Sequence, residues 1–181
     1  HRRAFNETFR EVELSWDWDR PLYAALLKTA GGRERILRYM KDFKVGPTHW
    51  AEAVTLAGFL HKEKNALYRR LLDAATLAPR PGVRRLIDAA RAERIKLAIA
   101  TTTGRDNTLA LLRALFGENG PRWFSVIATA EDAKTKKPDP DIYRVALRRR
   151  EVSATSCVAI EDSALGLRAA RGANIAAVIA P

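Results

Sequence analysis

The stretch Cys157-Val158-Ala159-Ile160-Glu161-Asp162-Ser163-Ala164-Leu165-Gly166 decides the fold. A short apolar run stops at two carboxylates, and small residues follow at helical spacing. This reads as a strand over 157–160 that delivers Glu161 and Asp162 to its carboxyl end, with Ser163 starting a helix. Gly172 ends that helix, and its small face (Gly166, Ala169, Ala170, Ala173) lets it sit close to a sheet. Adjacent carboxylates at a buried strand end are costly unless solvated, paired or bound to a cation. Their hard oxygens suit Mg²⁺; an acid that merely caps the next helix is the competing reading.

Working outward, the same texture repeats. Ile175 to Ile179 reads as a last strand. Upstream, Asp139-Pro140 opens a helix as a capping acid followed by proline. Phe124 to Ala128 is a strand, Leu109, Leu112 and Phe116 mark one helix face, and Ile95 to Ala100 is a strand closing on Thr101-Thr102-Thr103. Val83, Leu86, Ile87 and Ala90 mark another helix. Strands alternating with helices predict parallel, right-handed βαβ units, an α/β fold that binds ligands at the carboxyl ends of its strands. Before Arg80 the texture differs. Phe5, Thr8, Phe9 and Val12, then Trp50, Ala53, Val54 and Ala57, repeat with helical spacing, and Thr48 is the expected N-cap of the second set. Residues 1–79 therefore read as a bundle of about four helices and 80–181 as the α/β part.

Three strand ends carry chemistry. A hydroxyl at Thr101 with the turn N–H groups makes a phosphate-binding corner, although a threonine there is commonly a plain turn residue. Lys137, in Lys134-Thr135-Lys136-Lys137-Pro138-Asp139-Pro140, offers a fixed positive charge on a stiffened turn, or else belongs to a solvated basic loop. Glu161-Asp162 is the third.

The order Thr after a strand, Lys-Pro-x-Pro, then Glu-Asp-Ser-x-x-Gly resembles motifs II, III and IV of the haloacid dehalogenase superfamily. The helical first part is similar to the α-helical cap of the β-phosphoglucomutase-like subfamily. His1-Arg2-Arg3-Ala4-Phe5-Asn6, Gly31-Gly32-Arg33-Glu34-Arg35-Ile36 and Arg80-Pro81-Gly82-Val83 look like the CbbY branch, the xylulose-1,5-bisphosphate phosphatases associated with Rubisco. The resemblance implies a Rossmann-like core with a cap, and Mg²⁺-assisted phosphate hydrolysis through an aspartyl-phosphate. It implies that Thr101 and the backbone of Thr102 bind the phosphoryl group and that Lys137 neutralises charge. Asp162 would hold Mg²⁺, with Glu161 as ligand or neighbour. Arg33 in the Gly-Gly-Arg turn, with Arg80 second, is the candidate for a second phosphate, and His1 faces the cleft by family position. The nucleophile belongs to an Asp-x-Asp motif on a first core strand, which is absent here; Asp17-Trp18-Asp19 has the spacing but lies in a loop between helices. The expectation is a core lacking its first strand, so that this polypeptide alone folds poorly and is inactive. A phosphosugar mutase and a non-catalytic basic module are the alternatives.

Composition sets outer bounds. With 181 residues, 47% of them hydrophobic, the chain fits a globular core with an appended lobe. The single Cys157 excludes an internal disulfide and is expected as a packed, buried thiol. No apolar run approaches a membrane span. A net charge of +11 favours anionic partners, and phosphorylated sugars fit it; with no aromatic-basic stripe the sequence argues against nucleic acid. A monomer in a bacterial cytoplasm or a plastid stroma is expected.

Overall fold

Asn6 explains how the first part of the chain closes. In this computed structural model, which describes residues 1–74 and 77–179, its side chain is buried and bridges back to the segment after the first helix. It accepts from the Trp18 N–H at 3.0 Å and donates to the Trp18 carbonyl at 3.1 Å and to Asp17 at 2.6 Å. Trp18 is thereby fixed over Phe5 and Phe9, with ring centroids 4.6 and 5.1 Å away. Helices α1 (Arg2–Glu11), α2 (Arg20–Leu26), α3 (Gly32–Phe43) and α4 (Trp50–Asp73) enclose this aromatic centre. Each ring removes a large apolar area from water, roughly 2–3 kcal/mol per side chain. Asp19 caps α2 by accepting from Leu22 N–H at 2.8 Å. Asp17 and Asp19 thus both have structural partners. Helix α4 begins after His49, with no side-chain cap from Thr48.

The chain divides into two units, His1–Ala75 and Thr76–Pro181. The second contains α5 (Val83–Ala92), β1 (Leu97–Ala100), α6 (Arg105–Phe116), β2 (Phe124–Ala128), α7 (Asp141–Arg150), β3 (Val158–Glu161), α8 (Ala164–Gly172) and β4 (Ala176–Ile179). Strands pair in parallel, β1 with β2 and β3 with β4, as two separate ladders among the described residues. Helices α7 and α8 pack their small residues on them: Ala146, Ala169, Ala170 and Ala173 are all buried with Val126, Ala128 and Ala159. Alternation along β3 buries Ala159 and Glu161 and leaves Val158 (67%) and Ile160 (53%) exposed.

Several sequence expectations shift. The strand expected from Ile95 starts at Leu97, because α5 ends in a left-handed turn at Arg94 that leaves Ile95 outside the ladder. Helix α7 starts at Asp141 instead of Pro140; the Asp139 carboxylate still accepts from the Asp141 N–H at 2.9 Å. Cys157 precedes β3 and is only half-buried, since the turn Ala154–Ser156 holds it beside the Ser153 carbonyl. Arg33 lies within the first turn of α3 and not in a loop, because the left-handed residue Gly31 (φ 93°) already starts the helix.

Candidate active site

The carboxyl ends of β1 and β3 bring Lys137 and Glu161 together. Glu161 ends β3 on its inward face and is 7% exposed. The Lys137 ammonium donates to its Oε1 at 2.5 Å and to the Ala100 carbonyl, at the end of β1, at 3.0 Å. One ammonium N–H is left without a partner among the described residues. The Tyr143 ring lies 4.9 Å below the same ammonium, and its hydroxyl donates to the same Glu161 oxygen. Burial, with the neighbouring carboxylate, pushes the Tyr143 phenol well above its usual range, so it acts as a donor. A carboxylate buried this deeply is tolerable because a cation and a phenol satisfy it.

Gly166 completes the arrangement. A Cβ at that position would collide with Glu161 Oε2, so the first turn of α8 must be bare for the carboxylate to fit. Ser163 caps that helix by accepting from the Gly166 N–H at 3.1 Å. Asp162, one residue beyond Glu161, is exposed.

Thr101 follows β1 directly. Its N–H donates to the Ala128 carbonyl at 3.0 Å, and its hydroxyl oxygen accepts from the Thr103 N–H at 3.1 Å. That bond turns the hydroxyl without using its proton, which stays available to an oxyanion. Thr102 is half-buried in the same turn. The loop after β2 is held by Asp132, which accepts from the Thr129 N–H and hydroxyl at 2.8 and 3.0 Å. Arg149 at 2.5 Å, more than any other group, holds the Asp132 carboxyl far below the ordinary carboxylate range. Asp141 then receives the Lys134 N–H at 2.6 Å, so the segment that delivers Lys137 is anchored at both ends.

Among the other expected residues, Arg80 is exposed before α5. Arg33 is exposed on α3, while its neighbour Arg35 is half-buried and donates to the Thr29 carbonyl at 3.2 and 3.3 Å. His1 is stacked on Tyr68 at 4.1 Å. Sequence reading missed Lys64, which is 4% exposed between the Phe5 and Tyr68 rings at 5.0 and 5.6 Å. Burial, aided by Arg35, pushes its ammonium down to about 8. A signal existed: Lys64 occupies the apolar stripe Ala53, Ala57, Leu60, Leu67 of α4.

Tested for Mg²⁺, these donors fit in part. Asp162 offers one free hard-oxygen carboxylate, whereas Glu161 is engaged by Lys137 and Tyr143. No group of three or more His, Cys, Asp or Glu side chains able to hold a metal occurs among the described residues.

Comparison with known proteins follows the same lines. The haloacid dehalogenase-like hydrolase family matches residues 1–174. The chain belongs to the haloacid dehalogenase-like hydrolases. Within this family it is 44% identical to the protein CbbY of Cereibacter sphaeroides over all 181 residues, covering 76% of that protein. It is 42% identical to the plasmid-borne CbbY of Cupriavidus necator, covering 71% of it. The crystal structure of CbbY from Rhodobacter sphaeroides in complex with phosphate superposes with a TM-score of 0.91 at 43% identity, over 100% of this chain and 78% of that one. A mutant of that CbbY, in complex with xylulose-(1,5)bisphosphate, gives a TM-score of 0.90 over the same shares of the two chains. The family and the likeness to CbbY make this chain a phosphatase. Among the described residues, no helix is long and apolar enough to cross a membrane.

Proposed function

We propose that this phosphatase acts on sugar bisphosphates, with xylulose 1,5-bisphosphate as the substrate, in a Mg²⁺-dependent reaction through an aspartyl-phosphate. The observation that carries the reading is the strand-end cluster of Lys137, Glu161, Ala100 and Thr101, a fixed cation and a poised hydroxyl side by side. The likeness to a CbbY bound to xylulose bisphosphate supports the choice of sugar.

In this reading the free N–H of Lys137 and the hydroxyl of Thr101 bind phosphoryl oxygens, and the Thr102 backbone adds a donor. Glu161 and Tyr143 hold the ammonium in place without entering the reaction. Such preorganised charge is worth the most where charge develops in the transition state. Asp162 would hold Mg²⁺, which when bound offsets charge on the phosphoryl oxygens. The nucleophile is assigned to none of residues 1–181, since no strand among the described residues ends in Asp-x-Asp. Turnover therefore needs that motif supplied to the chain. For the second phosphate the candidates are Arg33, Arg80 and His1.

The test is phosphate release from xylulose 1,5-bisphosphate, with ribulose 1,5-bisphosphate and β-glucose 1-phosphate as controls. It is run on residues 1–181 and on the same chain preceded by an Asp-x-Asp strand. Selective release by the extended form, abolished by EDTA and restored by Mg²⁺, is the expected result. Conversion of β-glucose 1-phosphate to glucose 6-phosphate would replace the phosphatase by a mutase, and silence on all three sugars would overturn the substrate assignment.

A further inference from the structure

The amino ends of β1 and β2, opposite the strand ends just described, form a second concentration of positive charge. Arg91, Arg94 and Lys96 come from the end of α5 and the lead-in to β1; Arg122 and Trp123 come from the lead-in to β2. With the exposed Ile95 they line a cavity of about 340 Å³. Strands of four and five residues separate it from Thr101 and Thr129, on the order of 13–16 Å at about 3.3 Å per residue. It is a different place from the candidate active site.

The side chains are positioned and largely uncompensated. Arg91 lies over the Trp123 ring at 4.1 Å and Arg84 at 5.1 Å, while Phe116 packs on the same indole at 5.3 Å. Arg94 is fixed by the turn that ends α5, where its N–H donates to Arg91 and the next N–H reaches Ala90 at 2.8 Å. Among the described residues, the carboxylate that pairs with this cluster is Asp88, at 2.7 Å from Arg84 and 3.8 Å from Arg91. Among the described residues, Arg94, Lys96 and Arg122 form no ion pair. Holding cations this close without counter-charges is unfavourable unless an anion joins them.

We propose that this cavity is a binding site for a small, multiply charged phosphate ligand, a polyphosphate or a phosphate-rich metabolite. Its volume matches small-molecule sites, and guanidinium groups suit phosphate oxygens through paired N–H donors. The charges converge on one concavity and form no stripe, which disfavours a nucleic-acid backbone. The indole already has ring and guanidinium neighbours, so the ligand is held by its phosphates and not by a stacked base.

The test is calorimetric titration of the protein with inorganic tripolyphosphate and, separately, with ATP. Lys137→Ala serves to silence the candidate active site, and circular dichroism checks the fold. The expected result is one site that survives Lys137→Ala, weakens at least tenfold in Arg94→Ala/Arg122→Ala, and weakens with salt. Lys96→Gln alone, a milder change at an exposed position, should weaken it several-fold. Equal affinity for ATP and tripolyphosphate would assign recognition to the phosphate chain and support the site, whereas tenfold tighter ATP binding would overturn the reading that phosphates alone hold the ligand. Loss of all binding in a Lys137→Ala protein that circular dichroism shows to be folded, indifference to both Arg94→Ala/Arg122→Ala and Lys96→Gln, or tenfold tighter binding of an oligonucleotide than of tripolyphosphate would overturn the proposal.

Discussion

Each unit removes one lysine from water, and the two do so in opposite ways. In the second, Lys137 meets a carboxylate, a carbonyl and a phenol-bearing ring at the ends of strands. In the first, Lys64 lies in an aromatic helical core with two ring faces and the Asn65 side chain at 2.8 Å, and forms no ion pair among the described residues. The surroundings follow from the cores. One is built from Phe5, Phe9, Trp16, Trp18 and Tyr39; the other is largely alanine, and leaves room beside its strands for a buried carboxylate. A buried charge can thus be neutralised by a partner or merely tolerated by polarizable faces.

Removing Lys137 should break this contrast most severely. Lys137→Ala leaves Glu161 buried without a cation, a loss of about 3–5 kcal/mol in urea unfolding. In the form preceded by an Asp-x-Asp strand, a fall of two to three orders of magnitude in kcat on a sugar bisphosphate should accompany it. Retained stability would mean that Tyr143 alone satisfies the carboxylate.

Lys64→Met should act the other way. The folded-state value of about 8 lies below that of an exposed lysine, so the unfolded chain binds the extra proton between pH 8 and about 10.4. The penalty is complete below pH 8 and fades as pH rises through that window. The methionine variant should be more stable than wild type at pH 7, by at most about 2–3 kcal/mol, and should lack the rise in stability above pH 8. Parallel stability–pH curves for the two proteins would refute the account.

The glycines sharpen the same comparison more gently. Gly166→Ala forces Glu161 off Lys137 and should cost about 1–3 kcal/mol, as other overpacked sites do. Gly58, in the middle of α4 with nothing within 4 Å of its would-be Cβ, should gain roughly 0.5–1 kcal/mol as alanine. Thermal unfolding of both variants decides whether the two positions differ in sign.

The sequence carried much of this plan, and unevenly. The alternation of apolar runs and helical faces placed β2 at its observed limits, because Phe124 to Ala128 is bounded by a turn on each side. That Lys137, Glu161 and Thr101 lie at strand ends, where parallel sheets bind ligands, was legible in the sequence. Their pairing was not: that Glu161 Oε1 meets both Lys137 and Tyr143 depends on side-chain packing across 24 and 18 residues of chain. Lys64 escaped because a lysine inside a helix is ordinarily solvated, and only its register on the apolar stripe marked it as buried. The basic cavity escaped for a different reason. Its cations come from separate segments, around Arg91 to Lys96 and at Arg122, which no run of sequence joins.

The alternation on β3 also bears on how the molecule behaves in a tube. Val158 and Ile160 project to solvent from a strand whose second edge has no ladder among the described residues. Open backbone donors beside an apolar row invite another chain to add itself. Light scattering should therefore climb with protein concentration, and a lysine at position 160 should hold the solution clear.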